Sequence, residues 1–176
     1  GNRSLYIYNN AGQYYALNGE RVALNDNGSS GVFFVDNPLY ERFVYNEEHR
    51  VEGLLDKLLI EGVSFSSSIL SREDAEFLLS LYIYSLFFES LHPTKPILLF
   101  VGPKGSGMTT KMRLIGIFLF GKGFNVNSLM KDKEDDFISG VSNNSFVAFD
   151  NVDGRIKWLN NRLAAIATGE AIRLRT

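Results

Sequence analysis

The segment that most constrains the fold is an apolar run that leads into a glycine-rich loop. Residues 97–101 (ILLFV) are all apolar, and residues 108–120, after the loop, have the spacing of a helix. An uninterrupted run of this kind is typical of a strand that is buried on both faces of a parallel sheet. Residues 145–149 form a second such run, residues 158–167 have a helical pattern, and residues 171–175 start a third strand. Because strands alternate with helices, the pattern predicts an α/β fold, a parallel sheet core with helices on both faces.

The composition excludes several classes of protein. The chain has 176 residues, of which 45% are hydrophobic and 22% charged, and such a chain can bury a core without a metal or disulfide. It has no cysteine, which excludes a disulfide framework, a zinc–thiolate site and a cysteine nucleophile. The net charge of −2 argues against strong nonspecific binding of nucleic acid. No apolar stretch reaches the roughly 20 residues of a membrane span, so we expect a cytoplasmic protein without a membrane partner.

The chain divides by pattern into three regions. Residues 1–45 contain short aromatic or β-branched runs separated by turn sequences such as Asn18-Gly19, which predict a small N-terminal antiparallel β module that includes a strand at residues 32–35. Residues 46–95 predict a helical linker region. Residues 96–176 carry the strand, loop and helix, and they end within a predicted strand, so we expect this core to be truncated at its C-terminus.

The linker region predicts two helices. The first is short and amphipathic, with leucines near residues 54–60, and a serine-rich loop follows it. The second begins at Ser71, whose side chain can accept a hydrogen bond from the first turn of the helix, and extends to about residue 91. Because this helix is apolar around nearly its whole circumference, we expect it to be buried on several sides.

Residues 102–109 match a phosphate-binding loop at every fixed position but one. Against the pattern G-x-x-x-x-G-K-[ST], Met108 stands where the pattern has lysine. Glycines permit the positive φ that turns successive N–H groups inward, and the N-terminus of the next helix favours a negative charge. The predicted nucleotide-binding residues are Gly102, Pro103, Lys104, Gly105, Ser106, Gly107, Met108, Thr109 and Thr110. The alternative interpretation is a glycine-rich turn that binds nothing.

The missing lysine bears on catalysis. A lysine at this position neutralises phosphate oxygens in the ground state and in the transition state, whereas methionine supplies no charge. Lys104 in the loop and Lys111 in the helix are the two basic residues that could compensate, and the simpler interpretation is that both are solvated. We therefore predict weak nucleotide binding and slow or absent hydrolysis.

A second motif lies where the apolar run of residues 145–149 ends in Asp150. In phosphate-loop proteins an acid at this place holds the water shell of Mg²⁺, and the hydroxyl of Thr109 would bind the same ion. We predict that Asp150 faces Thr109 across a gap of the size of Mg²⁺. Asn151 follows at the position where ring-forming ATPases usually carry glutamate; an amide can orient water but cannot take its proton, and Asp153 is the nearest other carboxylate. The predicted catalytic residues are Asp150 and Asn151, although a strand can also end in Asp simply as a turn residue.

Taken together, these motifs resemble those of P-loop ATPases carried by phages and integrated mobile elements. The shared pattern is an Asp-Asn pair at a strand end, a W-L-x-x-x-L helix, an A-T-G turn and a strand that bears arginine. The matching positions here are Asp150, Asn151, Trp158, Leu159, Leu163, Ala167, Thr168, Gly169 and Arg175. Residues 14–28 (YYALNGERVALNDNG) are similar to the small β module that precedes the ATPase domain in this group.

The resemblance implies a P-loop NTPase core of the AAA+ and superfamily 3 helicase type, attached to phage-type primases. It implies ATP and Mg²⁺ as cofactors, DNA as a partner of the full-length protein in DNA replication, and assembly into a homo-oligomeric ring. Sensor residues and any arginine finger would lie beyond Thr176, and Met108 departs from the pattern. Two alternatives stay open. One is a non-catalytic interaction or assembly module with a degenerate P-loop fold, which Met108 favours; the other is a small-molecule kinase, although no arginine-rich lid follows the second strand.

Overall fold

The computed structural model describes residues 4–19, 21–49, 51–66, 69–88, 92 and 94–169. It is a mixed α/β structure in two units, one comprising Gly1–Leu54 and Ile117–Phe124, the other Leu55–Gly116 and Asn125–Thr176. Its helices and strands are β1 (Leu5–Tyr8), β2 (Gln13–Asn18), β3 (Arg21–Asp26), α1 (Arg72–Ser85), α2 (Met108–Phe120), β4 (Asn127–Ser128), α3 (Glu134–Asn143), β5 (Phe149–Asp150) and α4 (Leu159–Thr168). The predicted three-region division at residues 45 and 95 stays a prediction.

The first unit contains the predicted antiparallel β module. Strands β1, β2 and β3 form a three-stranded sheet in chain order. Asn18 is the last residue of β2 and pairs with Arg21, so the hairpin loop begins at Gly19, at φ 61°. Tyr14 is only 1% exposed, and its ring lies edge-on to that of Tyr6, with 5.5 Å between the ring centroids. These aromatic contacts across strands give this small sheet a buried face.

The predicted strand at residues 32–35 is wrong, because groups just before it in the chain, and not a neighbouring strand, bond its backbone. The Gly28 N–H donates to the Val32 carbonyl at 2.8 Å, and the Val32 N–H donates to the Ser29 carbonyl at 3.0 Å. The amide of Asn27 donates from Nδ2 to the carbonyl of Phe34 (2.7 Å) and accepts from the Phe34 N–H through Oδ1 (2.8 Å). The segment therefore runs without a ladder, and Phe33 and Val35 remain 75% and 81% exposed.

Residues 117–124 contact the segment around Tyr40 within the first unit. The Tyr40 and Phe120 rings stack with 4.2 Å between centroids, and the Glu41 N–H donates to the Phe120 carbonyl at 3.0 Å. The chain at Gly123 passes so close that a Cβ there would lie 2.3 Å from the Leu39 carbonyl oxygen. Glycine is therefore required at this position by packing.

We expect Gly123→Ala to destabilise the fold by about 1–3 kcal/mol, because the backbone oxygen of Leu39 cannot move aside as a side chain could. Denaturant unfolding followed by circular dichroism measures the change. Gly140→Ala is the matched control, since a Cβ at Gly140 meets nothing within 4 Å and the residue lies inside α3. The free energy of unfolding of Gly140→Ala should be about 0.5–1 kcal/mol higher than that of the native protein, as expected for alanine in place of glycine within a helix. Equal effects at the two glycines would contradict the close approach at Gly123.

The second unit contains a short parallel sheet. Strands β4 and β5 pair in parallel, with Asn127 opposite Phe149 and Ser128 opposite Asp150. Beside them lies a core cluster of buried residues from α3, α4 and the adjoining loops. Its members are Leu129, Phe137, Ile138, Ile156 and Leu159. Parallel pairing was predicted, but β4 was not, and it is the partner that β5 uses.

The predicted central strand at residues 97–101 is wrong. These residues belong to no described strand, their N–H groups have no hydrogen-bond acceptor in the described part of the chain, and Leu99 and Val101 are 73% and 87% exposed. Residues 97–100 and 144–149 instead line one cavity of about 530 Å³. The predicted strand 145–149 shortens to Phe149–Asp150, because only these two residues pair with β4. An apolar run favours burial, but a ladder also requires a strand in register beside it.

The predicted helices form, with differences at their ends and faces. Ser71 caps α1 as predicted, accepting from the Asp74 N–H at 3.1 Å, but α1 ends at Ser85. Leu79 and Ile83 of α1 are buried, whereas Phe77, Leu78, Leu81 and Tyr84 are each about half exposed, so the predicted burial on several sides is wrong. The short amphipathic segment is a π-helical turn, Asp56–Ile60. Residues 134–143 form α3, whose first turn is acidic, and the strand predicted at 171–175 lies outside the described residues.

Candidate functional site

The glycine-rich loop lies in the second unit and leads directly into α2. Met108 is the first residue of α2, as predicted, and residues 102–107 are exposed. Gly105 and Gly107 both have φ 85°, and a Cβ at either would meet nothing within 4 Å. Glycine is therefore favoured at these two positions by the left-handed backbone and not by a lack of space.

The loop and the start of α2 leave a group of N–H donors uncommitted. The first helical hydrogen bond runs from Lys111 N–H to the Gly107 carbonyl at 2.9 Å. In the described part of the chain the N–H groups of Gly105, Gly107 and residues 108–110 have no acceptor. These donors lie at the positive end of the helix dipole, where an anion is stabilised.

The side chain of Met108 points toward the loop. A Cβ on Gly102 would lie 3.5 Å from Met108 Sδ and 3.1 Å from Ser106 Oγ. The thioether therefore lies beside the first residue of the loop, and Met108 is half-buried there. A lysine at this position would carry its amine toward the loop.

Thr109 and Asp150 meet, although 41 residues separate them in the sequence. Thr109 Oγ1 donates to Asp150 Oδ2 at 2.6 Å, and Asp150 Oδ1 accepts from the Asn151 N–H at 2.7 Å. The predicted Mg²⁺-sized gap is thus bridged by a direct hydrogen bond. The bond from Thr109, then that from the Asn151 N–H and then the charge of Arg113 hold the pKa of Asp150 below its usual value. Asp150 is therefore a carboxylate at neutral pH.

The two other residues after β5 differ in what they can do. Asn151 adopts φ 55°, which asparagine tolerates better than most residues, and its side chain is exposed beside Asp150. Asp153 accepts from Arg155 Nε at 3.0 Å and from its terminal nitrogen at 2.8 Å. These bonds lower the pKa of Asp153 to about 2. A carboxylate with so low a pKa is a poor general base, which argues against Asp153 as the substitute for a catalytic glutamate.

The three cations near the loop have different surroundings. Lys104 is exposed within the loop. Lys111 is half-buried, and burial lowers the pKa of its ammonium group. Arg113 was not among the predicted site residues, yet its charge acts on Asp150. The signal that could have found it is its spacing, because residues four apart on a helix share a face and Arg113 is four residues after Thr109.

The Trp158–Gly169 segment stabilises the unit around the site. Trp158 Nε1 donates to the Lys131 carbonyl at 2.8 Å, and Trp158 and Leu163 pack against the core cluster. Arg162 Nε lies 2.6 Å from Glu134 Oε1, which links α4 to α3. Gly169, at φ 72°, ends α4 as the helix stop that its sequence predicts. In the described structure these residues have packing roles.

The donor set at Thr109 and Asp150 suits a magnesium ion that also binds phosphate. Thr109 donates a hydrogen bond from its hydroxyl group to Asp150, so the lone pairs of its oxygen stay available to a cation. Among the described residues no group of three or more acidic or histidine side chains could hold a metal alone. Mg²⁺ is commonly bound through one or two protein oxygens, several waters and the phosphates of a substrate. Thr109 directly and Asp150 through water would hold it, and the ion would supply positive charge at the phosphate oxygens.

Comparisons with known proteins gave no relative from which a function could be inferred. No protein-family model, curated protein or solved structure matches the chain. None of the helices in the described residues is both long enough and apolar enough to cross a membrane. A function for this chain is therefore argued from its loop, its Thr109–Asp150 pair and the charges beside them.

Proposed function

We propose that this chain is a nucleotide-binding, ATPase-like domain in which the loop at residues 102–109 binds the phosphates of ATP. The observation that carries the proposal is the 2.6 Å hydrogen bond between Thr109 and Asp150. A glycine-rich turn without a ligand would not need the hydroxyl that follows it to contact a carboxylate at the end of a distant strand. The uncommitted N–H groups at the start of α2 support the same interpretation.

The same residues favour binding over fast hydrolysis. Met108 brings no charge to the phosphates, Asn151 cannot accept a proton, and Asp153 is ionised and paired with Arg155. Each of these features removes a contribution that phosphoryl-transfer enzymes use in the transition state. We therefore propose a domain that binds ATP with Mg²⁺ and hydrolyses it slowly or not at all.

We also propose the kind of full-length protein in which this domain works. Its residues resemble those of helicase-type replication proteins of phages and mobile elements, so we propose an AAA+-like P-loop core that works with DNA, in a ring, in the full-length protein. The second candidate function is a non-catalytic assembly module. The half-exposed apolar face of α1, with Phe77 and Tyr84 on it, favours this candidate together with Met108.

Titration with Mg-ATP by calorimetry tests the proposed function. We expect the native protein to bind Mg-ATP and Gly107→Ala to bind it at least about tenfold more weakly, because alanine disfavours the φ of 85° that aims the loop amides. Gly154→Ala is the matched control: a Cβ there also meets nothing within 4 Å, and its φ is not in the left-handed region. Melting temperatures of both variants check folding. Absence of heat with the native protein at millimolar Mg-ATP would reject the proposal and leave the assembly module.

A further inference from the structure

The loop has Met108 where the phosphate-loop pattern has lysine, so a charge like that of the lysine would have to come from another side chain. Lys111 lies on α2 about 200° around the helix from Thr109, on a partly buried side, and its lowered pKa reflects that burial. Arg113 lies only about 40° around the helix from Thr109. It is exposed, and in the described residues it makes no hydrogen bond or ion pair within 4 Å. Its guanidinium is therefore uncommitted.

Helix geometry directs Arg113 toward the loop. Side chains on a helix point back toward its N-terminus, so a long side chain covers the turn that precedes its own Cα. For Arg113 that turn begins at Thr109, whose hydroxyl contacts Asp150. The influence of the Arg113 charge on the Asp150 carboxylate agrees with this direction. The guanidinium thus belongs to the side of α2 on which the Thr109–Asp150 pair lies.

We infer that Arg113 is the phosphate-binding cation of this site and takes the place of the lysine that Met108 replaces. The inference rests on the proposed function and names a residue that the loop motif does not contain. A guanidinium presents a planar fork of donors that can bind two phosphate oxygens at once, whereas an ammonium acts as a point charge. Arg113 is also exposed, so binding would not require a charge to be uncovered from the core.

Calorimetric titration of four variants with Mg-ATP, and separately with magnesium tripolyphosphate, tests this inference. Arg113→Gln should weaken binding of both ligands at least about tenfold, and Arg113→Lys should weaken it less, because a point charge remains. Lys111→Gln should change affinity by less than about twofold, since solvated or distant charges contribute little. Arg72→Gln is the matched control for loss of one exposed helical arginine; its partner is Glu76, at 2.7 Å.

The outcomes separate the inference from the function on which it rests. If the native protein binds Mg-ATP and Arg113→Gln binds equally well, the inference is overturned while the proposed function stands. A loss for ATP without a loss for tripolyphosphate would also overturn it, because Arg113 would then contact another part of the nucleotide. A larger loss in Lys111→Gln would assign the role to Lys111. If the native protein binds neither ligand, both proposals fall.

Discussion

Asp150→Asn is expected to abolish the Mg²⁺-dependent part of ATP binding while shifting the melting temperature by no more than about 3 °C. The substitution removes the negative charge that would hold the water shell of the ion. It keeps an amide oxygen that can still accept from Thr109 Oγ1, so the contact between β5 and α2 is retained. Titration with ATP in the presence of Mg²⁺ and then of EDTA gives the Mg²⁺-dependent part directly.

Asp153→Asn is the control for this prediction, because Asp153 is bound to Arg155 and not to Thr109. Its Mg²⁺ dependence should equal that of the native protein.

The pH dependence of the free energy of unfolding gives a further check on Asp150. The folded-state pKa of Asp150 is lowered, so its contribution to stability is present above the ordinary carboxyl pKa of about 3.9 and is lost as the pH falls through the folded value. Asp150→Asn should lose this dependence. A large fall in melting temperature with unchanged nucleotide affinity would mark Asp150 as a turn residue only.

Met108→Lys is expected to tighten Mg-ATP binding by about tenfold, because it adds a second charged donor to the phosphates beside that of Arg113. The position is suited to this change, since the side chain at 108 already lies beside Gly102 at the start of the loop. Met108→Leu is the control, as it keeps the volume and adds no charge. Calorimetry with Mg-ATP measures both.

Met108→Lys combined with Arg113→Gln tests whether a lysine at position 108 and Arg113 would supply the same charge to the phosphates. If Arg113 fills the role of the missing lysine, Met108→Lys should restore much of the affinity that Arg113→Gln removes, and the effects should not add. An unchanged affinity in Met108→Lys, in a native protein that binds well, would contradict the expected gain and mean that Arg113 alone already neutralises the phosphates. No binding in any variant would contradict the nucleotide site itself.

The features that the sequence predicts correctly are those with local causes. The helix that starts at Met108 ends at Phe120, Ser71 caps α1, and Gly169 ends α4 in the left-handed conformation that glycine favours. The antiparallel module follows from short aromatic strands and turn residues within a few positions of each other. Each of these outcomes is set by neighbours along the chain, so the residues themselves carry the information.

Pairing between distant segments was predicted less well. Residues 97–101 have the composition of a central strand, yet β5 pairs with β4, which has only two residues and no strand signal of its own. Likewise the apolar circumference of α1 predicts burial all round, but which of its faces is covered depends on the segments that pack against it. Hydrophobicity favours burial without choosing a partner, and the partner is a property of the whole fold.

The amino-acid sequence was enough to locate the glycine-rich loop, the helix that starts at Met108 and the acid that follows the second apolar run. The direct bond from Thr109 to Asp150, 41 residues away, and the action of the Arg113 charge on the same carboxylate came from folding. The two groups of features differ in how far along the chain their causes lie. Backbone preference and capping act over three or four residues, whereas the charge and hydrogen bonding of a site depend on groups that folding brings together from far apart in the chain.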